Sequence, residues 1–206
     1  MNPRPTALEA LGLLAQGVAA ARSRRDPEHF WPLMTAGLVL AGCTAAPRAA
    51  AASWGWSWRW LGAALGLGAG LHLGVRMGAR AASRLPWTAA HLERLRGGMG
   101  SAAVPTRAVL ALPAALGEEL FWRCDGWLGD SGPLPAAACR YSLAQLPGRN
   151  PLLVAGALPL GLATGWVKRR SGSLLPAVVC HLVFSELTLV WPGLPLPCGA
   201  PEATHP

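Results

Sequence analysis

The chain has 206 residues, of which 52% are hydrophobic and only 14% are charged. Soluble globular proteins average about a quarter charged residues, so this composition excludes an ordinary soluble domain and predicts extensive contact with lipid. The net charge is +8, but the arginines flank long apolar segments, where basic residues set membrane topology. We therefore expect a single integral-membrane domain over residues 1–206, with the lipid bilayer as a partner and no nucleic acid.

The five cysteines predict neither a disulfide framework nor a zinc site. Their number is odd, no CxxC pair occurs, and four of them lie in apolar stretches, where cysteine behaves as a small hydrophobe. The first 25 residues do not match a secretory signal peptide, because Glu9 and Gln16 interrupt the apolar run and the basic cluster follows it. Residues 6–21 are instead expected to form a helix on the membrane surface.

Long apolar segments predict a multi-pass bundle, since a bilayer core requires about 20 apolar helical residues. In chain order these segments are 31–47, 60–75, 108–128, 151–167 and 174–196. The shorter apolar segment 135–146 contains Arg140 and is either a sixth span or a re-entrant helix. The predicted fold class is all-α, a transmembrane bundle of about six helices, or of five helices and a re-entrant one.

The second segment has glycine at every fourth position, at Gly62, Gly66, Gly70, Gly74 and Gly78. Small residues at this spacing let two helices approach closely. We expect packing inside the chain, with a helix-mediated homo-oligomer as the alternative. Tryptophans alternate just before this segment, at Trp54, Trp56, Trp58 and Trp60. They predict an aromatic belt at the membrane surface, although alternation alone is also typical of a strand.

Basic clusters predict the orientation, because positive residues favour the cytoplasmic side. Arginines at 22–25 and 76–107 place both of these regions inside and residues 48–59 outside. The position of residues 168–170 depends on segment 135–146. They lie outside if that segment spans the bilayer, and inside if it is re-entrant.

Segment 108–128 carries ionisable residues, which are costly within a membrane and therefore suggest a function. On a helix, Glu119 and Arg123 are four residues apart and can pair on one face, whereas Glu118 is rotated by about 100°. We expect the arginine to neutralise Glu119 and to leave Glu118 free as a general base. The alternative is that these charges only mark the interfacial end of a span.

His181 and Ser185 lie four residues apart in the last segment, hence on one helix face. A histidine in an apolar run is more often a core residue than a catalyst. One that faces a helix carrying carboxylates can, however, donate a hydrogen bond to a developing oxyanion. Glu186 is one position further round the helix and is given no role.

The string GEELFWR, from Gly117 to Arg123, resembles the EExxxR motif of the CPBP family, the CAAX-processing and bacteriocin-processing intramembrane proteases also called Abi proteins. The string GSLLPAVVCH, which ends at His181, resembles the last motif helix of that family, HxxxN. Between them, YSLAQ falls where the family has FxxxH. Order and spacing match over residues 107–190, the expected protease-like core.

The resemblance implies an intramembrane endopeptidase that uses no cofactor. In the family, the first Glu and the middle His activate a water, and the last His and the Asn stabilise the oxyanion. Carried over, Glu118 is the general base, Gln145 orients the water, and His181 and Ser185 form the oxyanion hole. The Gln and the Ser depart from the family pattern; an amide can orient a water but cannot accept its proton. Only Glu118 and His181 remain as metal ligands, too few for a catalytic metal.

The expected substrate is a membrane-anchored protein. The bias toward Ala, Gly, Arg and Leu is typical of a high-GC bacterium, which argues against prenylated CAAX tails and for the bacterial inner membrane. The small size, and the end of the chain soon after the last motif, resemble the myxosortases, which remove C-terminal sorting tails. Two alternatives are a degenerate protease that only binds proteins, and a small transporter with the Glu pair as a proton relay; the transporter lacks the internal repeats such proteins show.

Overall fold

The computed structural model describes residues 6–100, 102–124 and 131–190, and all regular secondary structure within them is helical. The all-α class is therefore confirmed for this part of the chain. The helices are α1 (Ala7–Arg25), α2 (Phe30–Thr44), α3 (Ala46–Ala49), α4 (Trp58–Ala82), α5 (Pro86–Met99), α6 (Val104–Arg123), α7 (Leu134–Leu143), α8 (Pro151–Ser171) and α9 (Leu175–Ser185), which a π turn, Glu186–Val190, continues. The ends of segments 108–128 and 174–196, with Asp125, and also Cys198, lie outside the described residues.

Proline, asparagine and glycine residues set the helix boundaries. Pro86 and Pro151 open α5 and α8, at a position where the missing N–H costs nothing. The Asn150 side chain caps α8 by accepting a hydrogen bond from the Leu152 N–H at 3.0 Å. Gly172 ends the same helix with a φ of 67°, a left-handed conformation that glycine adopts without strain.

Among the described residues, α8 is long and apolar enough to cross a membrane, and the pair α5–α6, bent by 95°, would count as a second span if taken together. This is fewer than the six spans predicted. The difference arises because α2 and α9 are shorter than 18 residues and α7 has 10 residues, a length of about 15 Å. Helix α6 keeps a full length of 20 residues but carries the charges of the candidate site.

The helices run between two ends of the bundle. At the first end, Trp31 Nε1 donates to the Met99 carbonyl at 2.7 Å. At the second end, the Leu174 N–H donates to the Ser53 carbonyl at 2.9 Å, and Cys124 packs against Leu174. Helix α6 thus finishes at the second end, while α8 begins at the first, where Asn150 Nδ2 donates to the His91 carbonyl at 3.0 Å. The residues just after α8 lie beside residues 48–59, because Ser173 Oγ donates to the Gly55 carbonyl at 3.0 Å.

Helix α1 is part of the bundle, and the prediction of a surface helix is wrong. It packs antiparallel to α2, because Gly12 approaches Thr44 while Ala19 approaches Gly37. The polar residues that interrupt its apolar run face inward: Gln16 is buried, and its Oε1 accepts a hydrogen bond from Trp122 Nε1 at 3.1 Å.

The glycine series of α4 does not pack against another helix within the described chain, contrary to the sequence prediction. A Cβ atom added at any of its members would meet nothing within 4 Å. The glycine that makes a close contact is Gly68, where a Cβ would lie 2.7 Å from the Cys180 carbonyl oxygen of α9. Helix α4 therefore packs through the opposite face, which carries Ala64, Gly68 and His72.

The tryptophans before α4 agree with an aromatic belt. Trp54, Trp56 and Trp58 are exposed, and residues 53–57 form no strand. Trp60 instead packs edge-on against Trp166 of α8, with ring centroids 5.8 Å apart.

Candidate active site

Close contact between α2 and α6 positions the acidic pair. A Cβ atom on Gly117 would lie 2.5 Å from the Leu38 carbonyl oxygen, and one on Gly42 would lie 2.7 Å from the Gly117 Cα. Only glycine fits this approach of two backbones. Because Gly117 immediately precedes Glu118 and Glu119, the contact fixes the depth and the rotation of both carboxylates.

A second close approach, between α7 and α8, positions Tyr141. A Cβ atom on Gly161 would lie 2.8 Å from Tyr141 Cδ1 and 3.3 Å from the Ala138 Cα. The Tyr141 ring is thereby held beside Trp122, with centroids 5.5 Å apart, and against the guanidinium of Arg123, 5.3 Å from the ring centroid. This contact is a cation–π interaction.

The predicted ion pair is present and fully enclosed. Arg123 Nε donates to Glu119 Oε2 at 3.1 Å, and Arg123 Nη2 donates to the Thr164 hydroxyl of α8 at 2.7 Å. The side chains of Arg123 and Glu119 are 1% and 0% exposed, so the pair is not a surface ion pair at the edge of a span. Thr164 in turn donates to the Leu160 carbonyl at 3.0 Å.

His181 lies between the two carboxylates. Its Nδ1 donates to Glu119 Oε1 at 2.8 Å, and its Nε2 lies 3.7 Å from Glu118 Oε2. Since a carboxylate only accepts hydrogen bonds, Nδ1 carries a proton, and this bond fixes the ring orientation. If Nε2 is protonated as well, the charges of Glu118, Glu119, Arg123 and His181 sum to zero. The site can therefore be electrically balanced although it is buried.

Glu118 is not a free carboxylate, contrary to the sequence prediction. Gln145 Nε2, from the turn after α7, donates to Glu118 Oε1 at 3.3 Å. Gln145 on one side and the His181 ring on the other therefore flank the Glu118 carboxylate.

The site opens into a cavity of about 1730 Å³. Glu118, Gln145, His181 and Ser185 line this cavity, whereas Glu119 and Arg123 do not. The six predicted residues thus form two layers, one that faces the cavity and one that supports it from behind. Ser185 is 4% exposed and has no hydrogen-bond partner among the described residues.

Sequence reasoning missed Tyr141 and Thr164 as members of the site. Tyr141 opens the YSLAQ string but was not given a role. Thr164 is a polar residue in an otherwise apolar segment, a pattern that indicates a hydrogen bond between membrane helices. His72 of α4 is not part of the network, because its Nδ1 lies 3.1 Å from the Thr188 hydroxyl. Across the described ranges, no three His, Cys, Asp or Glu side chains form a group that could hold a metal ion.

A family model described as Type II CAAX prenyl endopeptidase Rce1-like matches residues 100–185. The matched range overlaps the predicted core of 107–190 and contains all six candidate site residues. No curated protein and no solved structure matches the chain.

Proposed function

We propose, from the match of residues 100–185 to the Rce1-like family model, that the chain is a glutamic-type intramembrane endopeptidase of the CPBP family that cuts a membrane-anchored protein. One observation carries the proposal. Glu118, Gln145, His181 and Ser185 share the wall of a single large cavity, so a base, a water-orienting amide and two donors face the same space. Such convergence of polar groups in an otherwise apolar pocket is typical of an active site.

The proposed reaction is hydrolysis by an activated water. Glu118 removes a proton from a water that Gln145 orients, and the hydroxide attacks the carbonyl carbon of the peptide bond. The carbonyl oxygen becomes an oxyanion, to which His181 Nε2–H and the Ser185 hydroxyl donate. Glu118 then returns the proton to the leaving amine as the C–N bond breaks. General-base catalysis of this kind contributes about 10²–10⁴ to the rate.

The supporting layer keeps His181 in a donating state. Glu119 accepts from His181 Nδ1 and leaves Nε2 toward the cavity, as the carboxylate of a catalytic triad does for its histidine. Arg123 balances the charge of Glu119. We therefore assign positioning roles to Glu119 and Arg123, and Thr164 completes the layer by accepting from the arginine.

We also propose that the bundle crosses the bacterial inner membrane several times, although among the helices of residues 6–190 that the structure describes α8 alone has the length and composition of a clear span. Large apolar side chains on the outer faces of α2, α4 and α6 are exposed, among them Leu40, Leu73 and Val109. Exposed apolar surface of this extent indicates contact with lipid or with another protein. Helix α4, with 25 residues, is about 37 Å long and exceeds the thickness of a bilayer core.

For the substrate we propose C-terminal sorting tails of bacterial surface proteins, each with a short motif and a membrane-spanning helix. Support comes from the composition, which is typical of a high-GC bacterium, and from a cavity far larger than a single side chain requires. Proteins of the same genome that share such a tail are the candidate substrates.

The test is co-expression with a tail-bearing protein and measurement of its mass before and after processing. We expect the wild-type chain and Glu186→Gln, a matched carboxylate-to-amide control outside the site, to release the tail. Glu118→Gln at equal abundance should leave the protein intact. If the wild-type chain releases no tail while Gln145→His does, the chain is a degenerate protease. If Glu118→Gln releases the tail as efficiently as the wild type, the glutamic mechanism is contradicted.

A further inference from the structure

The cavity has a second wall that the proposed chemistry does not use. Gly66, Gly70, Gly74 and Gly78 of α4 line the same cavity as Glu118 and His181. Each of these glycines is exposed, and a Cβ atom at any of them would meet nothing within 4 Å. We call these four residues the glycine wall. It exposes backbone along one face of α4, because no side chain covers it.

The dimensions of this space match a helix. The glycine wall extends from Gly66 to Gly78 of α4, a rise of about 18 Å at 1.5 Å per residue. A helical segment of that length with a diameter of about 10 Å occupies about 1400 Å³, and the cavity has a volume of about 1730 Å³. A single acyl chain is much narrower than a helix and would leave most of this volume unfilled.

A polar side chain elsewhere in the cavity also favours a peptide as the occupant. Ser185 lines the cavity, is 4% exposed, and has no hydrogen-bond partner among the described residues. Its hydroxyl, which donates to the oxyanion in the proposed reaction, is not enclosed by protein atoms, so a peptide group in the cavity can reach it. An acyl chain offers no such partner.

We propose that the glycine wall docks the membrane-spanning helix of the protein substrate and thereby aligns its scissile end with Glu118 and His181. This inference rests on the proposed protease function. Glycines at every fourth position would also suit contact with a helix from a second copy of this chain. A helix docked beside Glu118 and His181 lies where cleavage would occur, which suits a substrate rather than a second copy of the enzyme, so we assign the wall to the substrate.

The glycine wall also predicts which helices bind. Backbones can come into contact along it only if the incoming helix also has small residues at every fourth position, because Cα–H groups then approach carbonyl oxygens on the partner. A leucine-rich helix would be held away by its own side chains. Selection would thus depend on the face of the substrate helix in addition to the sequence at the cut.

The test uses a synthetic peptide as the probe, with the full chain in phosphatidylcholine nanodiscs. The peptide is an Ala/Leu membrane helix of about 20 residues, with Gly at every fourth position and a photo-crosslinking group at its centre. We expect it to crosslink to α4 of the wild type, and an all-Leu peptide to crosslink poorly. Gly70→Leu and Gly74→Leu should each lower crosslinking about tenfold, equivalent to about 1.4 kcal/mol of binding.

Gly62→Leu is the matched control. It lies in the same glycine series, also in open space, but it does not line the cavity. It should leave crosslinking unchanged. The thermal unfolding midpoints of Gly62→Leu and Gly70→Leu, compared with that of the wild type, show whether both variants fold.

Three outcomes would overturn the docking proposal: equal crosslinking in Gly70→Leu and wild type, crosslinks only between copies of the chain, or crosslinks only to a photoreactive lipid included in the nanodisc. A wild type that crosslinks the peptide through α4 but cleaves no tail-bearing protein contradicts the proposed function and leaves docking intact. Cleavage of such a protein at the wild-type rate by Gly70→Leu contradicts docking and leaves the function intact.

Discussion

Replacement of Arg123 by alanine should unfold the site. Glu119 is 0% exposed, and in the part of the chain that the structure describes its cationic partners are Arg123 and His181. Removing one member of a buried ion pair typically costs about 3–5 kcal/mol, because the other charge stays buried without compensation. The substitution also removes the hydrogen bond to Thr164 and the contact with the Tyr141 ring. Since total stability is typically about 5–15 kcal/mol, we expect both the abundance and the unfolding midpoint to fall clearly.

The assay is cellular abundance together with thermal unfolding of the purified protein in detergent. Thr164→Val serves as a graded control, because it removes one hydrogen-bond partner of the arginine and keeps the ion pair; its cost should be about 1–3 kcal/mol. Replacing both charges, in Glu119→Leu with Arg123→Met, should recover much of the lost stability but not the activity. If Arg123→Ala keeps the wild-type abundance and unfolding midpoint, Glu119 is not a buried charge that depends on Arg123 for its compensation.

Three further predictions follow from the site and its support. Gln145→Ala should slow cleavage by raising the activation free energy by about 1–3 kcal/mol, the loss of one oriented hydrogen bond. Gln145→His should be tolerated. If Gln145→Ala cleaves at the wild-type rate, the turn after α7 does not contribute to catalysis. Gly117→Ala should lower the free energy of unfolding by about 1–3 kcal/mol, and the unfolding midpoint with it, because the added Cβ would lie 2.5 Å from the Leu38 carbonyl oxygen. Gly62→Ala should leave both unchanged. Activity should survive strong chelators, since within residues 6–100, 102–124 and 131–190 no three His, Cys, Asp or Glu side chains are grouped to hold a metal ion, and a catalytic zinc takes about three protein ligands. Loss of activity that added zinc restores would contradict this.

Much of the candidate site could be predicted from residue spacing. The i, i+4 pair of Glu119 and Arg123 depends only on helix geometry, and the structure contains it. The 100° rotation of Glu118 likewise separates a carboxylate that faces the cavity from one that does not. Residues brought together from different helices were harder to predict: the position of His181 between both carboxylates and the contribution of Thr164 depend on how α6, α8 and α9 pack.

The errors concern faces and packing partners, which sequence patterns do not specify. The glycine series of α4 has the spacing of a packing face, yet Gly68 makes the helix contact, because the opposite face of α4 meets α9. Residues 6–21 have no clear apolar face, and Glu9 and Gln16 made a surface helix the simpler interpretation. Their burial depends on tertiary contacts such as the hydrogen bond from Trp122, which lies more than a hundred positions along the chain.

The most direct test of the central claim, that Glu118 activates a water, is a single-turnover cleavage in ¹⁸O-labelled water with the purified chain and a tail-bearing substrate. We predict that the new carboxyl group of the product gains one labelled oxygen, that Glu118 gains none, and that Glu118→Gln slows the cleavage by about 10²–10⁴. Label in the Glu118 side chain would indicate a covalent intermediate, and an unchanged rate in Glu118→Gln would contradict the role of Glu118 as the base.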